Sequence, residues 1–240
     1  MAASLVWVNY QDKQNREIDA LTFSNTMEWD SSLYTSSQQK TRYSQNWQEY
    51  IEIDQPPANS SDETRLELNK LIDYKSLRTE EKIKEINQEL ELQGAIMGGR
   101  SVADYFGETK YPLTALALGD AYFHISTIVL AAKDKFNRVR PHFLESKIEP
   151  VIDVPGHPAY PSGHSTQSHF VALVLGELMP SRKQEFWEDA DRIAKNREIA
   201  GVHYPSDSAA GAQLAQQFFN HLLQDPQFRT QLSAARAEWR

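Results

Sequence analysis

Residues 113–138, LTALALGDAYFHISTIVLAAKDKFNR, decide the fold class. The run is apolar on most faces of a helix, the pattern of a helix that is covered all round. Gly119, Asp120, His124 and Ser126 interrupt the apolar stretch of residues 112–132, so it reads as a buried core helix rather than a membrane span. The flanks are helical too. Upstream, Thr79 caps a helix with Glu80 and Glu81 in its first turn and Gly98-Gly99 beyond its end. Before that, Ser60 and Glu63 make a capping box ahead of a face carrying Leu66, Leu71 and Ile72. Downstream, Pro150, Pro155, Gly156, Pro158 and Pro161 force an extended loop. Helices follow at about 162–178, 182–200 and 206–223, and Asp225-Pro226 opens a last one as N-cap and first-turn proline. No alternating strand pattern competes, so the expected fold is all-α, a compact helical bundle.

Residues 1–58 differ in kind. They are rich in Ser, Gln and Asn, carry Trp7, Trp29 and Trp47 without a sustained period, and end at Pro56-Pro57. We expect an irregular N-terminal arm over 1–58 that packs on a helical domain over 59–240. A chain of 240 residues buries roughly 70% of its unfolded surface, so it needs no disulfide or metal staple. There is no cysteine, which removes thiol catalysis and zinc-thiolate sites. A net charge of −8 argues against nucleic acid or an anionic membrane as partner. The first residues are too short an apolar run, without a basic start, to read as a signal peptide.

Three segments carry chemistry. In residues 133–141, KDKFNRVRP, Lys133 and Arg140 lie seven apart and share a face if the helix reaches that far. Pro141 is expected to end the helix and aim the Arg140 guanidinium, a planar fork for two anion oxygens, into a pocket. Taken alone, the segment equally describes surface cations at a helix end. In residues 161–164, PSGH, Ser162 and Gly163 open a helix, where free N–H groups suit an anion and glycine allows close approach. An ordinary serine N-cap fits the same residues. In residues 197–207, REIAGVHYPSD, Asp207 can accept from Nδ1–H of His203 and leave Nε2 free as a nucleophile. Arg197, six residues before His203, can hold the anion that His203 attacks. Alternatively, Asp207 caps the helix near Ser206 and Arg197 pairs with a surface acid.

The order Lys, six residues, Arg-Pro; then PSGH; then Arg, five residues, His, three residues, Asp resembles the signature of the type 2 phosphatidic acid phosphatase superfamily. Within it, the chain is most similar to the bacterial class A nonspecific acid phosphatases, over about residues 60–240. The resemblance implies an all-helical fold and metal-independent hydrolysis of phosphate monoesters, with phosphate transfer to alcohols as a side activity. It makes His203 the nucleophile of a phosphohistidine, Asp207 its orienter, and His164 the general acid and then base. Lys133, Arg140, Ser162, the Gly163 amide and Arg197 become the phosphate clamp, with no cofactor. One position departs: the family's third motif usually begins Ser-Arg, and this chain has Asn196-Arg197. An asparagine still donates and accepts hydrogen bonds, so a tuned site is expected.

The same superfamily offers an alternative, a vanadium-dependent haloperoxidase that binds vanadate as cofactor in the same pocket. In the phosphatase, vanadate is expected as an inhibitor. The resemblance further implies small phosphate-monoester substrates, a homo-oligomer, and a periplasmic or secreted location. The remaining histidines, His124, His142, His157, His169 and His221, receive no chemical role. His142 and His157 are placed near the pocket mouth and His124 in the core. His169 is about 500° around the helix from His164 and points elsewhere.

Overall fold

The computed structural model describes residues 12–91 and 110–239. The main helices are α1 (Ser31–Ser37), α2 (Asp62–Asp73), α3 (Glu80–Glu91), α4 (Pro112–Phe136), α5 (Gly163–Leu178), α6 (Lys183–Ile199), α7 (Pro205–Leu222) and α8 (Pro226–Ala235). There is no strand among the described residues, so the fold is all-α. Gly98-Gly99 and Trp7 lie outside the described residues.

At the centre is α5, packed between α6 and α7 and crossed by α4. Its apolar surround explains its lack of a polar face: Phe170, Val174 and Leu175 are buried, and so are Ser165, Thr166 and His169. Phe170, Phe186 and Phe218 are fully buried, each contributing roughly 1.5–3 kcal/mol. Helix α7 comes unusually close to the start of α5. A Cβ on Gly211 would stand 2.7 Å from the Ser162 carbonyl oxygen and 2.9 Å from Ser165 Cβ. With glycine there, Ser162 N donates to Asp207 O at 2.9 Å and Ser165 Oγ to Ser208 O at 2.6 Å. Two of the three motifs are thereby held backbone to backbone.

Helix α4 is shorter than its apolar pattern suggests. It ends at Phe136 because Asn137 turns left-handed, at φ 47°, a conformation asparagine tolerates better than most residues. Lys133 and Arg140 therefore do not share a helix face. Arg140 instead caps the single turn Pro141–Leu144. By length and composition the segment Pro112–Leu144 is apolar enough to cross a membrane. In this fold Leu118, Ile125, Ile128 and Ala132 are fully buried, while Leu113, Leu116 and Phe123 are exposed.

The amino-terminal arm is more ordered than its composition suggests. It forms helices over 12–19, Phe23–Thr26 and α1, and a short turn at Trp47–Glu49. Tyr43, Trp47 and Ile51 are buried in the same core as α4, α5 and α7. Asn137 ties the arm down, since Phe23 N donates to its carbonyl at 2.9 Å and Ser24 Oγ to its Oδ1 at 3.0 Å. The next helix starts one residue later than expected. Ser60 is engaged by Asp19, so Ser61 becomes the cap and accepts from Thr64 N at 3.1 Å. That register leaves Leu66 exposed and turns Thr64, Glu67 and Leu71 inward.

Candidate active site

Beneath the cavity lies a chain of charges. His203, at 2% exposure, sits just before α7 and places Nδ1 2.9 Å from Asp207 Oδ2. The same Asp207 oxygen accepts from Tyr204 N at 3.0 Å, so Asp207 both caps α7 and orients the imidazole. Its other oxygen accepts from Arg138 at 2.6 Å. A carboxylate held by these donors can only accept, so the proton rests on Nδ1 and the lone pair on Nε2. Arg140 NH1 lies 3.1 Å from that Nε2. Burial and the neighbouring Arg140 and Lys133 cations hold the His203 pKa well below its usual value. That environment favours the neutral ring.

The three sequence-expected cations converge here, with unlike commitments. Lys133 donates to the carbonyls of Pro158 and Ala159 at 2.8 and 3.0 Å. Burial and Arg140 press its pKa down, against the pull of Asp207. Arg140 is fully buried and donates to Val202 O at 2.6 Å and twice to His157 O, at 3.1 and 2.8 Å. Arg197 is different. Its NH2 donates to Ile86 O at 3.0 Å and to Glu89 Oε2, while buried Nε and NH1 have no partner. Unpaired buried donors are uncommon and costly, and Arg197 lines the cavity. Its partner is a buried acid rather than a surface one.

Behind these cations stand carboxylates. Glu89, on α3, takes Asn196 Nδ2 at 2.6 Å as well as Arg197, and Asn196 Oδ1 accepts from Lys82 at 3.2 Å. Burial raises the Glu89 pKa, and Arg197 and Asn196 oppose the rise. Glu67, on α2, accepts from Ser206 N at 2.6 Å, Ser206 Oγ at 2.9 Å and Arg138 NH2 at 3.1 Å. Arg138 also lies 3.8 Å from the centre of the Tyr204 ring, close enough for a cation–π contact. The layering is cation in front and anion behind, which leaves positive charge facing the cavity.

The PSGH segment enters from the other side. Ser162 is fully buried and caps α5, its Oγ accepting from Ser165 N at 3.3 Å. Gly163 and His164 line the cavity with Lys133, Arg197 and His203; Ser162 and Arg140 do not line it directly. Burial, then Arg197, Lys133 and Arg140, lower the His164 pKa to about 3. A dianion among the same cations would oppose their share of that shift. The cavity, of about 370 Å³, falls at the small end of small-molecule sites. Among the described residues no group of three or more His, Asp and Glu is placed to hold a metal ion.

Residues 111–231 match the family model described as "PAP2 superfamily". The chain belongs to the PAP2 superfamily. Over 80 residues this PAP2 protein is 36% identical to a non-specific acid phosphatase of Salmonella typhi, covering 33% of this chain and 32% of that protein. A non-specific acid phosphatase of Providencia stuartii is 26% identical over 160 residues, 60% of this chain and 64% of the other. The matched parts thus span between a third and just under two thirds of those relatives. Among solved structures, a bacterial vanadium-dependent iodoperoxidase has a TM-score of 0.47 at 20% identity, over 70% of this chain and 51% of that one. A transmembrane PAP2-type phosphatidylglycerolphosphate phosphatase from Bacillus subtilis has a TM-score of 0.33 at 19% identity, over 80% and 82%.

Four residues of this PAP2 site receive no chemical role from the motifs, although His157 is expected at the pocket mouth. Glu67 and Glu89 sit on acidic, water-facing helices and look like any surface glutamate until α2 and α3 dock. Arg138 is visible as a cation inside KDKFNRVRP, and its two-residue offset from Arg140 is the available clue. His157 lines the cavity with its carbonyl on Arg140. Its pKa is held well down by burial, Lys133 and Arg140. Of the other spare histidines, His142 does not line the cavity as expected and packs on Phe143, His124 packs on Tyr43, His169 bonds Asp191 at 3.0 Å, and His221 stacks on Tyr50.

Proposed function

We propose that this PAP2 protein is an acid phosphatase that hydrolyses phosphate monoesters through a phosphohistidine on His203, without a metal ion. The observation that carries the proposal is the pairing of a neutral, Asp207-oriented His203 with the unpartnered donors of Arg197 in one cavity. The similarity to non-specific acid phosphatases supports the same chemistry. Arg197, Lys133 and Arg140 neutralise the phosphoryl oxygens, which carry the charge in the transition state. The Nε2 lone pair of His203 bonds to phosphorus as the ester P–O bond breaks. The departing alkoxide takes a proton from His164. Water then attacks phosphorus, gives its proton to His164, and the P–N bond breaks to release orthophosphate. An alcohol in place of water would give phosphate transfer.

The test is p-nitrophenyl phosphate hydrolysis from acid to neutral pH with EDTA present. Because burial and the Arg140 and Lys133 cations hold the His203 pKa well below its ordinary value, the nucleophile keeps its neutral form to lower pH than a free imidazole does. kcat/KM at pH 5 should therefore equal or exceed that at pH 7. His203→Ala should abolish turnover, and vanadate should inhibit the parent protein competitively. Turnover that EDTA removes, or that survives in His203→Ala, would sink the proposal. So would bromide oxidation with vanadate and peroxide in a protein that hydrolyses no phosphate ester.

A further inference from the structure

The cavity lining is of two kinds. Lys133, Arg197, His164 and His203 carry its charge and proton chemistry. Leu33, Leu90, Leu130, Ile152, Pro155 and Val202 give it an apolar wall. The neutral polar side chains of the lining, Ser126 and Gln167, bond to each other at 3.0 Å. Among the described residues no carboxylate lines the cavity. Hydroxyl groups of a sugar or polyol placed there would lose water for little return, whereas an alkyl or aryl group would gain by leaving water.

The amino-terminal arm builds part of this wall and is fastened to it. Asp30 caps α1 by accepting from Ser32 N at 2.9 Å and Leu33 N at 3.1 Å, which fixes the turn that presents Leu33. The Asp30 backbone N–H donates to Gly156 O at 2.7 Å, between the lining residues Pro155 and His157. A Cβ on Gly156 would stand 3.2 Å from Asp30 Cβ, so glycine allows the approach. At the far end of α1, Gln38 Nε2 donates to Asp134 Oδ2 at 3.0 Å and anchors it to α4.

We propose that this wall is the leaving-group subsite: it selects monoesters of apolar alcohols, short alkyl or aryl, over those of polyols and sugars, and Leu33 is a specificity-determining residue. The inference rests on the phosphomonoesterase reading for turnover, but its binding component does not. Both substrates of the test are primary alkyl esters, hexyl phosphate and glycerol 3-phosphate, given to the full chain. Glycerol is the better leaving alkoxide, so chemistry alone favours the opposite order.

The expected kcat/KM ratio favours hexyl phosphate by about tenfold or more, since each buried methylene is worth roughly fourfold in affinity. Leu33→Asp should cut that ratio about tenfold, whatever its common effect on the two dianions. Leu33→Ser is the second variant should the first lose its fold. In parallel, calorimetry compares hexylphosphonate with methylphosphonate, neither of which can be hydrolysed. Tighter, Leu33-dependent binding of hexylphosphonate without any hydrolysis upholds the subsite and removes the phosphatase. Equal phosphonate affinities with efficient turnover of both esters overturns the subsite and keeps the phosphatase. A preference for hexyl phosphate that both Leu33 variants retain overturns the assignment to Leu33.

Discussion

Arg138 and Arg197 are both buried, both cationic, and both rest on a glutamate from the amino-terminal half. They differ in where their N–H groups go. In Arg138, NH1 holds Ser206 and Asp207 and NH2 holds Glu67, so both ends of the fork serve the protein; only its Nε is unpaired, and Arg138 does not line the cavity. In Arg197, Glu89 and a backbone carbonyl occupy NH2 alone, and Nε and NH1 stay unpaired beside the cavity. One arginine positions the His203–Asp207 pair; the other has donors left for a ligand. Residue type and burial do not separate these roles, whereas a hydrogen-bond census does.

The largest expected effect falls on the carboxylate that Arg138 shares with His203. Asp207→Asn keeps the shape but can turn an amide N–H toward Nδ1, which favours the wrong tautomer of His203. On the proposed mechanism kcat falls by about 10³-fold or more, as loss of the orienting carboxylate does in triad enzymes. Rapid-quench measurement of phosphoenzyme should show the loss in the first step. An Asp207→Asn protein with near-parental kcat would mean that Arg138 and Asp207 serve only the fold.

Much of this was legible beforehand. Helices α5, α6 and α7 start and stop within about a residue of where cap and proline signals put them. The chemistry-bearing side chains meet because their short motifs lie at the ends of these helices. What lay hidden depends on tertiary contacts. A glutamate at position 67 or 89 gives the same local signal whether it faces water or a guanidinium, and the apolar pattern of α2 puts Leu66 on an inner face that the fold leaves exposed. The left-handed turn at Asn137 and the docking of Leu33 were likewise invisible, since no periodic pattern marks either. Side-chain chemistry is local in sequence, but its counter-charges are not.

A matched pair of variants sharpens the contrast between the arginines. Glu89→Gln weakens the grip on Arg197, a charged hydrogen bond whose loss costs about 1.5–3 kcal/mol, so kcat/KM and vanadate affinity should fall roughly 10- to 100-fold. Glu67→Gln breaks a buried ion pair and removes the acceptor for Ser206, at a cost of about 3–5 kcal/mol of stability. Its melting temperature should drop by roughly 10 °C, while vanadate affinity stays within about threefold. Reversed outcomes, with affinity lost in Glu67→Gln and kept in Glu89→Gln, would exchange the roles given to Arg138 and Arg197.

The smallest effect belongs to Asn196, where the chain departs from the superfamily's usual serine. Asn196 reaches Glu89 with Nδ2 and takes Lys82 on Oδ1, so it acts on Arg197 through Glu89 and faces no reacting group. A serine there is too short to keep both bonds, yet Glu89 would retain Arg197 and Arg192, the latter at 3.2 Å. Asn196→Ser should therefore cost about 1 kcal/mol, seen as a roughly fivefold rise in KM with kcat unchanged. In the double variant with Glu89→Gln the extra cost should vanish, because the two residues share one route to Arg197. Additive losses would separate Asn196 from that route. A tenfold fall in kcat from Asn196→Ser alone would place the asparagine in the chemistry itself, which its commitment to Glu89 and Lys82 argues against.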